Sequence, residues 1–348
     1  MFFRIVFIAL QCLACLTVQA KPYVLFINPG APSESFWRNV DLYVEETALQ
    51  LEIELEIYHA HRNPLNALEF LQARMRVTPL PNYVILVNEK DSGKSLLSIL
   101  KNYPVNVTFV LSDLLDVDKR RLQADPHWQR YLKPGVLPNN YAIGHLTAED
   151  LFRQGDGQSG DIAMIVNESS TPAAAQQEQG VKAFINETPE LTLAQRVYGN
   201  RNEETAYRQA KVLLSRHHNL RYLWTADEYM ALGVLRAIEE IGRVAGKDIF
   251  ISTIHTSEKM LSALAQGTIS TLGGGHYVAA GLALIKVEQH SRTGQWYSVT
   301  DYHLFELISF ESPLYSTLIE QQWRYADFNR LNLSKGASYY IEPARKER

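Results

Sequence analysis

Residues 23–58 read YVLFINPGAPSESFWRNVDLYVEETALQLEIELEIY. An apolar run, Tyr23–Ile27, ends in Asn28-Pro29-Gly30. A loop follows, then the aromatic pair Phe36-Trp37, a helical pattern, and a second apolar run, Leu51–Tyr58. That order is strand, loop, helix, strand. A βαβ unit of this kind makes its two strands parallel. Ligands of open parallel sheets bind outside the carboxyl ends of the strands. Phe36-Trp37 falls at that edge, where a flat ring suits the apolar face of a sugar-like ligand. The structural alternative is a pair of rings that caps the lobe edge.

The first twenty residues form a separate unit. Arg4 precedes an uncharged apolar stretch, Ile5–Val18, and Val18-Gln19-Ala20 places small residues at the −3 and −1 positions. This predicts a secretory signal peptide cleaved after Ala20. A membrane anchor is the alternative, but the run is shorter than the roughly 20 apolar residues that span a bilayer. Cys12 and Cys15 lie inside it, without the Leu three positions earlier that a lipoprotein signal wants. Cleavage leaves no cysteine, so the mature chain must rely on a large core. Its length suggests about two domains.

Net charge is −4 and the pI is near 6.2. The longest basic run, Lys119-Arg120-Arg121, suits a solvated helix face and is too small for a nucleic-acid surface. No later apolar segment is long enough to span a membrane. His59–His61 and His217-His218 lack a third partner at metal-ligand spacing. Gly155–Gly160 has no Lys-Ser/Thr ending for a phosphate loop. Ser169-Ser170-Thr171 has no nucleophile-elbow sequence. No metal and no cofactor is expected.

Strand and helix patterns alternate along the chain. Strands are expected at Tyr83–Val87, Val105–Leu111, Asp161–Val166, Leu193–Tyr198, Tyr222–Trp224, Asp248–Ile254 and Ile269–Leu272. Helices are expected at Ala173–Glu187, Glu203–Arg216, Tyr229–Gly242, Glu258–Gln266 and Val278–His290. Repeated βα units give parallel sheets covered on both faces, and the length fits two. The proline-rich segment Asp125–Gly144 breaks the rhythm, which places the first crossing between lobes near Ala142–His145.

The ordered set of motifs resembles one family. After the first strand and its FW loop comes AIGHLTAEDLFRQG, similar to a hinge strand and the helix after it. QEQGVKAF is similar to the helix that opens the second lobe. YLWTADEYMALGVLRAIEEIG resembles an Asn-Asp pair followed by an ALGAL-like helix. GKDIFISTIHTSEKMLSALAQGTIST is similar to the stretch leading into the second hinge. Over about Pro22 to Gln295 the chain resembles the type I periplasmic binding proteins of the ribose-binding kind, and most of all a subgroup with NPG…FW, VNEK and GGH sequences. The resemblance implies an α/β fold: two Rossmann-like lobes with parallel sheets, joined by a three-crossover hinge, with ligand in the cleft. It implies a first lobe of residues 21–143 plus about 275–305, and a second of 144–274 plus about 306–348. The family's Arg near the start of the second-lobe helix aligns with Gln177. Its Asp after the following strand aligns with His255, and its Asn-Asp pair with Asp227-Glu228. The usual bidentate arginine clamp is therefore expected to be absent.

Strand ends supply the remaining candidates. Asn88 and Asp113 either accept ligand hydroxyls or cap helices; Glu89 and Lys90 either join them or pair at the rim. Asp227 and Glu228 either bind ligand or cap the helix after them. His255 either touches ligand or caps. His276 follows Gly273-Gly274-Gly275, glycines that let the backbone turn or approach closely beside a hinge. The expected ligand-binding set is Phe36, Trp37, Asn88, Asp113, Gln177, Asp227, Glu228, His255 and His276. The resemblance implies a periplasmic, monomeric solute-binding protein rather than an enzyme. It would close around a small polyhydroxylated, sugar-like ligand with little negative charge. Its membrane partner would be a transport permease, or else a sensor such as a histidine kinase or a diguanylate cyclase. A hydrolase using cleft carboxylates is the weaker alternative.

Overall fold

The computed structural model describes residues 21–167, 171–296 and 304–320. The predicted signal peptide and residues 321–348 lie outside them. Two parallel sheets organise the chain. The first has strands β1 (Tyr23–Asn28), β2 (Glu54–His59), β3 (Tyr83–Leu86) and β4 (Asn106–Phe109), in the order β2-β1-β3-β4. The second has β5 (Gly160–Val166), β6 (Leu191–Tyr198), β7 (Leu220–Thr225), β8 (Phe250–Ile254), β9 (Thr271–Gly274) and β10 (Glu306–Leu307), in the order β10-β9-β8-β7-β5-β6. β10 alone is antiparallel. The inner strands are continuous apolar runs because both faces are covered: every residue of β1 and β3 is buried. β2 is an edge strand, and its ELEIYH sequence is exposed to half-buried throughout.

Helices lie on both faces of the first sheet. α1 (Ser35–Gln50) connects β1 to β2; α2 (Pro64–Arg74) and α3 (Gly93–Leu100) cover the other face, where Leu71, Leu96 and Leu100 pack on Leu25, Val84 and Leu86. Two short helices, α4 (Asp116–Gln123) and α5 (Pro126–Tyr131), follow β4. The basic run Lys119-Arg120-Arg121 lies on α4, as its solvated-face reading requires. The chain then returns to the first sheet once more, where Val136 bridges Val110.

The lobe crossing differs from the expectation. Residues 142–145 form no hinge strand; they lie inside α6 (Asn140–Gln154). Asn139 caps this helix, its Oδ1 accepting from Ala142 N at 3.0 Å. Buried Ile143, Thr147 and Leu151 recur at helical spacing. They pack α6 into the second lobe, and Trp224 Nε1 donates to Thr147 Oγ1 at 2.9 Å. The crossing therefore falls between Val136 and Asn140. α6 lies unusually close to α7 (Pro172–Glu187). A Cβ on Gly144 would come 1.9 Å from the Gln177 carbonyl oxygen, and one on Gly180 would come 2.0 Å from that of Tyr141.

The second sheet continues through α8 (Glu203–Arg216), α9 (Glu228–Glu240) and α10 (Glu258–Ala265). After β9 the chain turns at Gly275 (φ 96°) into a short 3₁₀ turn, His276–Val278. It then enters α11 (Ala279–Thr293), which packs on α1 of the first lobe. Gly281 allows that approach, since a Cβ there would meet the Tyr43 ring at 2.5 Å. The last described helix, α12 (Pro313–Glu320), packs on α10. No helix among the described residues is long and apolar enough to cross a membrane.

Candidate functional site

Strand order reverses between β1 and β3 in one sheet and between β5 and β7 in the other. Loops leaving those strands diverge, which opens a crevice at their carboxyl ends. The two crevices face each other. Between them lies a cavity of about 510 Å³ lined from both lobes. Glu34, Arg62, Glu89 and Lys90 come from loops after β1, β2 and β3. Asn167 ends β5, Thr171 and Ala174 start α7, Asn200 and Arg201 follow β6, and Tyr229 lies in the first turn of α9.

The backbone beside this cavity is unusual. Left-handed φ values occur at His61 and Arg62, at Lys90 and Asp91, at Asn200 and Arg201, and at His255, all just beyond strand ends. Each such non-glycine residue is held against a cost of about 1–3 kcal/mol. Strain of this kind turns the chain sharply; of these residues Arg62, Lys90, Asn200 and Arg201 line the cavity.

Arg62 is locked in place. Its Nη2 donates to Glu34 Oε2 at 2.6 Å and its Nη1 to Glu89 Oε1 at 3.1 Å. Its guanidinium lies 5.4 Å from the Trp37 ring centroid. Burial works to raise the Glu89 carboxyl, but Arg201 and Arg62 outweigh it and hold it below its ordinary value. Lys90 Nζ donates to the Arg62 carbonyl at 2.8 Å.

The opposite wall carries two adjacent buried carboxylates. Asp227 caps α9, its Oδ1 accepting from Met230 N at 3.1 Å. Its Oδ2 meets no donor in good hydrogen-bond geometry among the described residues, although Asn167 lies beside the carboxylate. Burial raises the Asp227 carboxyl against the pull of Arg201. Glu228 Oε1 accepts from the Ser35 hydroxyl of the first lobe, and its Oε2 meets no donor in good hydrogen-bond geometry among the described residues, although Ser257 lies beside the carboxylate. Burial raises this carboxyl too. Beyond the Ser35–Glu228 contact a second cavity, of about 540 Å³, opens between α1, α10 and α12.

Three rings pack together where the segments after β1, β8 and β9 meet. Phe36 lies 4.6 Å from His255 and 4.9 Å from His276, centroid to centroid, and the two imidazoles are 5.5 Å apart. Burial pushes His276 down to about 4. His255 is also held well below its ordinary value, by burial first and then by His276, Arg201 and Arg62.

The nine expected residues separate into two groups. Phe36, His255 and His276 pack on one another, and Asp227 and Glu228 lie at the start of α9 beside Arg201 and Ser35; none of the five is in the lining of the interlobe cavity. Trp37 does not lie in a loop facing it. It occupies the first turn of α1, is 4% exposed and supports Arg62 from below. Gly30 presses on it so closely that a Cβ there would come 2.0 Å from its Cδ1. Asn88 is buried, and it ties loops together by donating to Asp113 O and accepting from Gly93 N, both at 2.9 Å. Asp113 accepts from Leu114 N and pairs with Lys119 at 3.2 Å. Gln177 donates to Asn140 Oδ1 at 3.1 Å and lies away from the cavity lining. Two guanidinium groups that the sequence reading did not single out, Arg62 and Arg201, line the cavity. Both follow strands directly, so the strand-end rule applied to β2 and β6 would have found them.

Comparison with known proteins agrees with this architecture. Residues 134–288 match the family described as periplasmic binding protein domain. A periplasmic sugar-binding protein from Pseudomonas fluorescens is 27% identical, with a TM-score of 0.78 over 92% of this chain and 97% of that one. A Caulobacter myo-inositol binding protein, solved with myo-inositol, shares the fold at 16% identity, with a TM-score of 0.69 over 87% of this chain and 96% of that one. The D-apiose import binding protein of Actinobacillus succinogenes is 23% identical over 168 residues, or 46% of this chain. The chain spans about half the length of that curated relative, 51%. Residues 134–288 are thus similar to a periplasmic binding protein domain, and the chain has the type I, ribose-binding-like fold. That family is one of substrate-binding proteins.

Proposed function

We propose that this chain is a periplasmic solute-binding protein that closes around a small, neutral, polyhydroxylated ligand and presents it to a membrane transporter. One observation carries the reading. Asp227 Oδ2, Glu228 Oε2 and Asn167 Oδ1 are shielded acceptors that no described donor meets in good hydrogen-bond geometry, although Asn167 lies beside Asp227 and Ser257 beside Glu228; Asn167 lines the cavity between the two lobes. Buried acceptors of this kind call for hydroxyl donors, because leaving one unsatisfied costs about 1–3 kcal/mol. Phe36 offers a ring to the C–H face of a sugar, and hinge closure is a known mode for such lobes. The names of the related proteins, which bind a sugar, D-apiose or myo-inositol, support the same chemistry. Carboxylates and cations are mixed along the walls, so the cleft offers no single-sign field to attract an anion.

Titration calorimetry with neutral pentoses, hexoses and inositols tests the proposal, with sugar phosphates and dicarboxylates as competitors. Saturable binding of a neutral compound is expected. Selective binding of a phosphate or a dicarboxylate overturns it. The periplasmic location rests on the predicted signal sequence. Mass spectrometry of the exported protein should find its N-terminus at Lys21, and a full-length chain retained in the membrane contradicts that.

A further inference from the structure

The loop between β6 and α8 is built to present one side chain. Asn200 and Arg201 take φ values of 53° and 54°, a backbone state that residues with a Cβ rarely adopt. The loop is anchored on both sides. A Cβ on Gly199 would come 2.4 Å from Met230 Sδ and 2.7 Å from Ile165 Cγ2, so the chain before the pair is pressed onto the second-lobe core. Asn202 caps α8, its Oδ1 accepting from Thr205 N at 2.8 Å. Between these anchors Arg201 enters the interlobe cavity.

Its guanidinium makes one long ion pair. Nε lies 4.0 Å from Asp227 Oδ2, too far for a hydrogen bond, and Arg201 makes no hydrogen bond to any described residue. The carboxylate facing it is enclosed: Asp227 is 1% exposed, with Asn167 and Arg201 as the polar neighbours of its side chain, and no described donor meets its Oδ2 in good hydrogen-bond geometry. The other guanidinium of the cavity, Arg62, is already bound to Glu34 and Glu89. Gln177, where the family resemblance puts its arginine, is turned toward Asn140.

We propose that Arg201 is the specificity-determining residue of the cleft, gripping two adjacent hydroxyl oxygens of the ligand while Asp227 Oδ2 accepts a hydrogen from one of them. The inference rests on the sugar-binding reading above and adds which residue selects and which pattern is selected. A guanidinium presents paired N–H donors to two neighbouring oxygens. A vicinal diol supplies those oxygens and also a hydrogen for the carboxylate. A ligand carboxylate would match the fork but leave Asp227 without a donor and bring like charges together. A deoxy analogue lacking one of the two hydroxyls strands a buried polar group, which is how such sites reject close relatives.

The test compares wild type, Arg201→Gly and Arg201→Lys, by calorimetry with the neutral sugar that wild type binds best and with its deoxy analogues. Glycine suits the left-handed φ at this position, so Arg201→Gly should melt no lower than wild type without sugar. Its affinity for the sugar should fall by about 10- to 100-fold. Arg201→Lys should bind weakly and lose discrimination between the sugar and the analogue missing one vicinal hydroxyl. Wild-type affinity in Arg201→Gly overturns the inference. If Phe36→Ala then still weakens binding, the sugar-binding reading survives without it. A wild-type protein that binds no neutral sugar of the panel overturns both.

Discussion

The Ser35 hydroxyl, at the first residue of α1, donates to Glu228, at the first residue of α9. The two residues belong to different lobes and are separated by 193 positions in the chain. Two helix N-termini thus share one buried carboxylate, and their unsatisfied N–H groups favour negative charge there. This contact exists only while the lobes are together.

Ser35→Ala should therefore weaken ligand binding without harming either lobe. A hydrogen bond to a charged group contributes about 1.5–3 kcal/mol. Part of that stabilises the closed arrangement, so apparent affinity should drop by about 10-fold. Calorimetry reads the affinity and small-angle scattering the compactness. An unchanged scattering profile together with unchanged affinity would show that the contact does not bias closure.

Trp37→Ala should destabilise the protein. The ring is buried among Gly30, Phe36 and Arg62. Its removal leaves a cavity in the first lobe, with an expected loss of about 3–5 kcal/mol. Urea unfolding without ligand measures this. A loss under about 1 kcal/mol, within the range of ordinary surface substitutions, combined with a large fall in affinity, would instead favour a ring that stacks on ligand.

Acidification should weaken the Phe36–His255–His276 contact. His276 has an ordinary value of 6.5 and is pushed down to about 4 by burial. The unfolded chain therefore binds the proton more readily. The stability contributed by the neutral buried ring is present above about pH 6.5 and is lost as pH falls toward 4. Asp227 and Glu228 are shifted upward and act in the opposite sense. The useful quantity is thus the difference between wild type and His276→Gln, in which those carboxylates cancel. Melting curves between pH 4 and 7.5 should show wild type losing ground to the variant as pH drops; parallel curves would refute the assignment.

Gly144→Ala should push α6 away from α7. The added Cβ would meet the Gln177 carbonyl oxygen at 1.9 Å, and a backbone atom cannot swing aside. Overpacking of this kind costs about 1–3 kcal/mol. A melting temperature equal to wild type would show that the helix pair yields freely.

Local order was legible before any coordinates. Strand-end polar residues, continuous apolar runs and capping residues such as Asn139, Asn202, Asp227 and Ser257 are short-range signals. α8 was read to the residue, and β1, β3 and β5 to within a residue at each end. The predicted hinge strand failed because resemblance set that boundary; in the structure Asn139 caps a helix there and Ile143, Thr147 and Leu151 lie on its buried face.

Site residues were harder to assign, because a residue type at a strand end does not say which way its side chain turns. Asn88 and Phe36 both follow first-lobe strands, yet Asn88 is enclosed by its own loops and Phe36 meets His255 of the other lobe and His276 in the turn back to the first. Alternating βα units and buried apolar runs were enough, from the sequence alone, to determine two parallel sheets with a ligand edge at their carboxyl ends. Only the tertiary structure decided that Trp37 supports Arg62 while Phe36 packs on His255 and His276, that Arg62 is hydrogen-bonded to Glu34 and Glu89, and that Arg201 makes one long ion pair. Fold class follows from periodic burial along the chain, which a sequence displays. A cleft is made of contacts between residues more than a hundred positions apart, as in Ser35–Glu228, and those depend on how two lobes are set against each other.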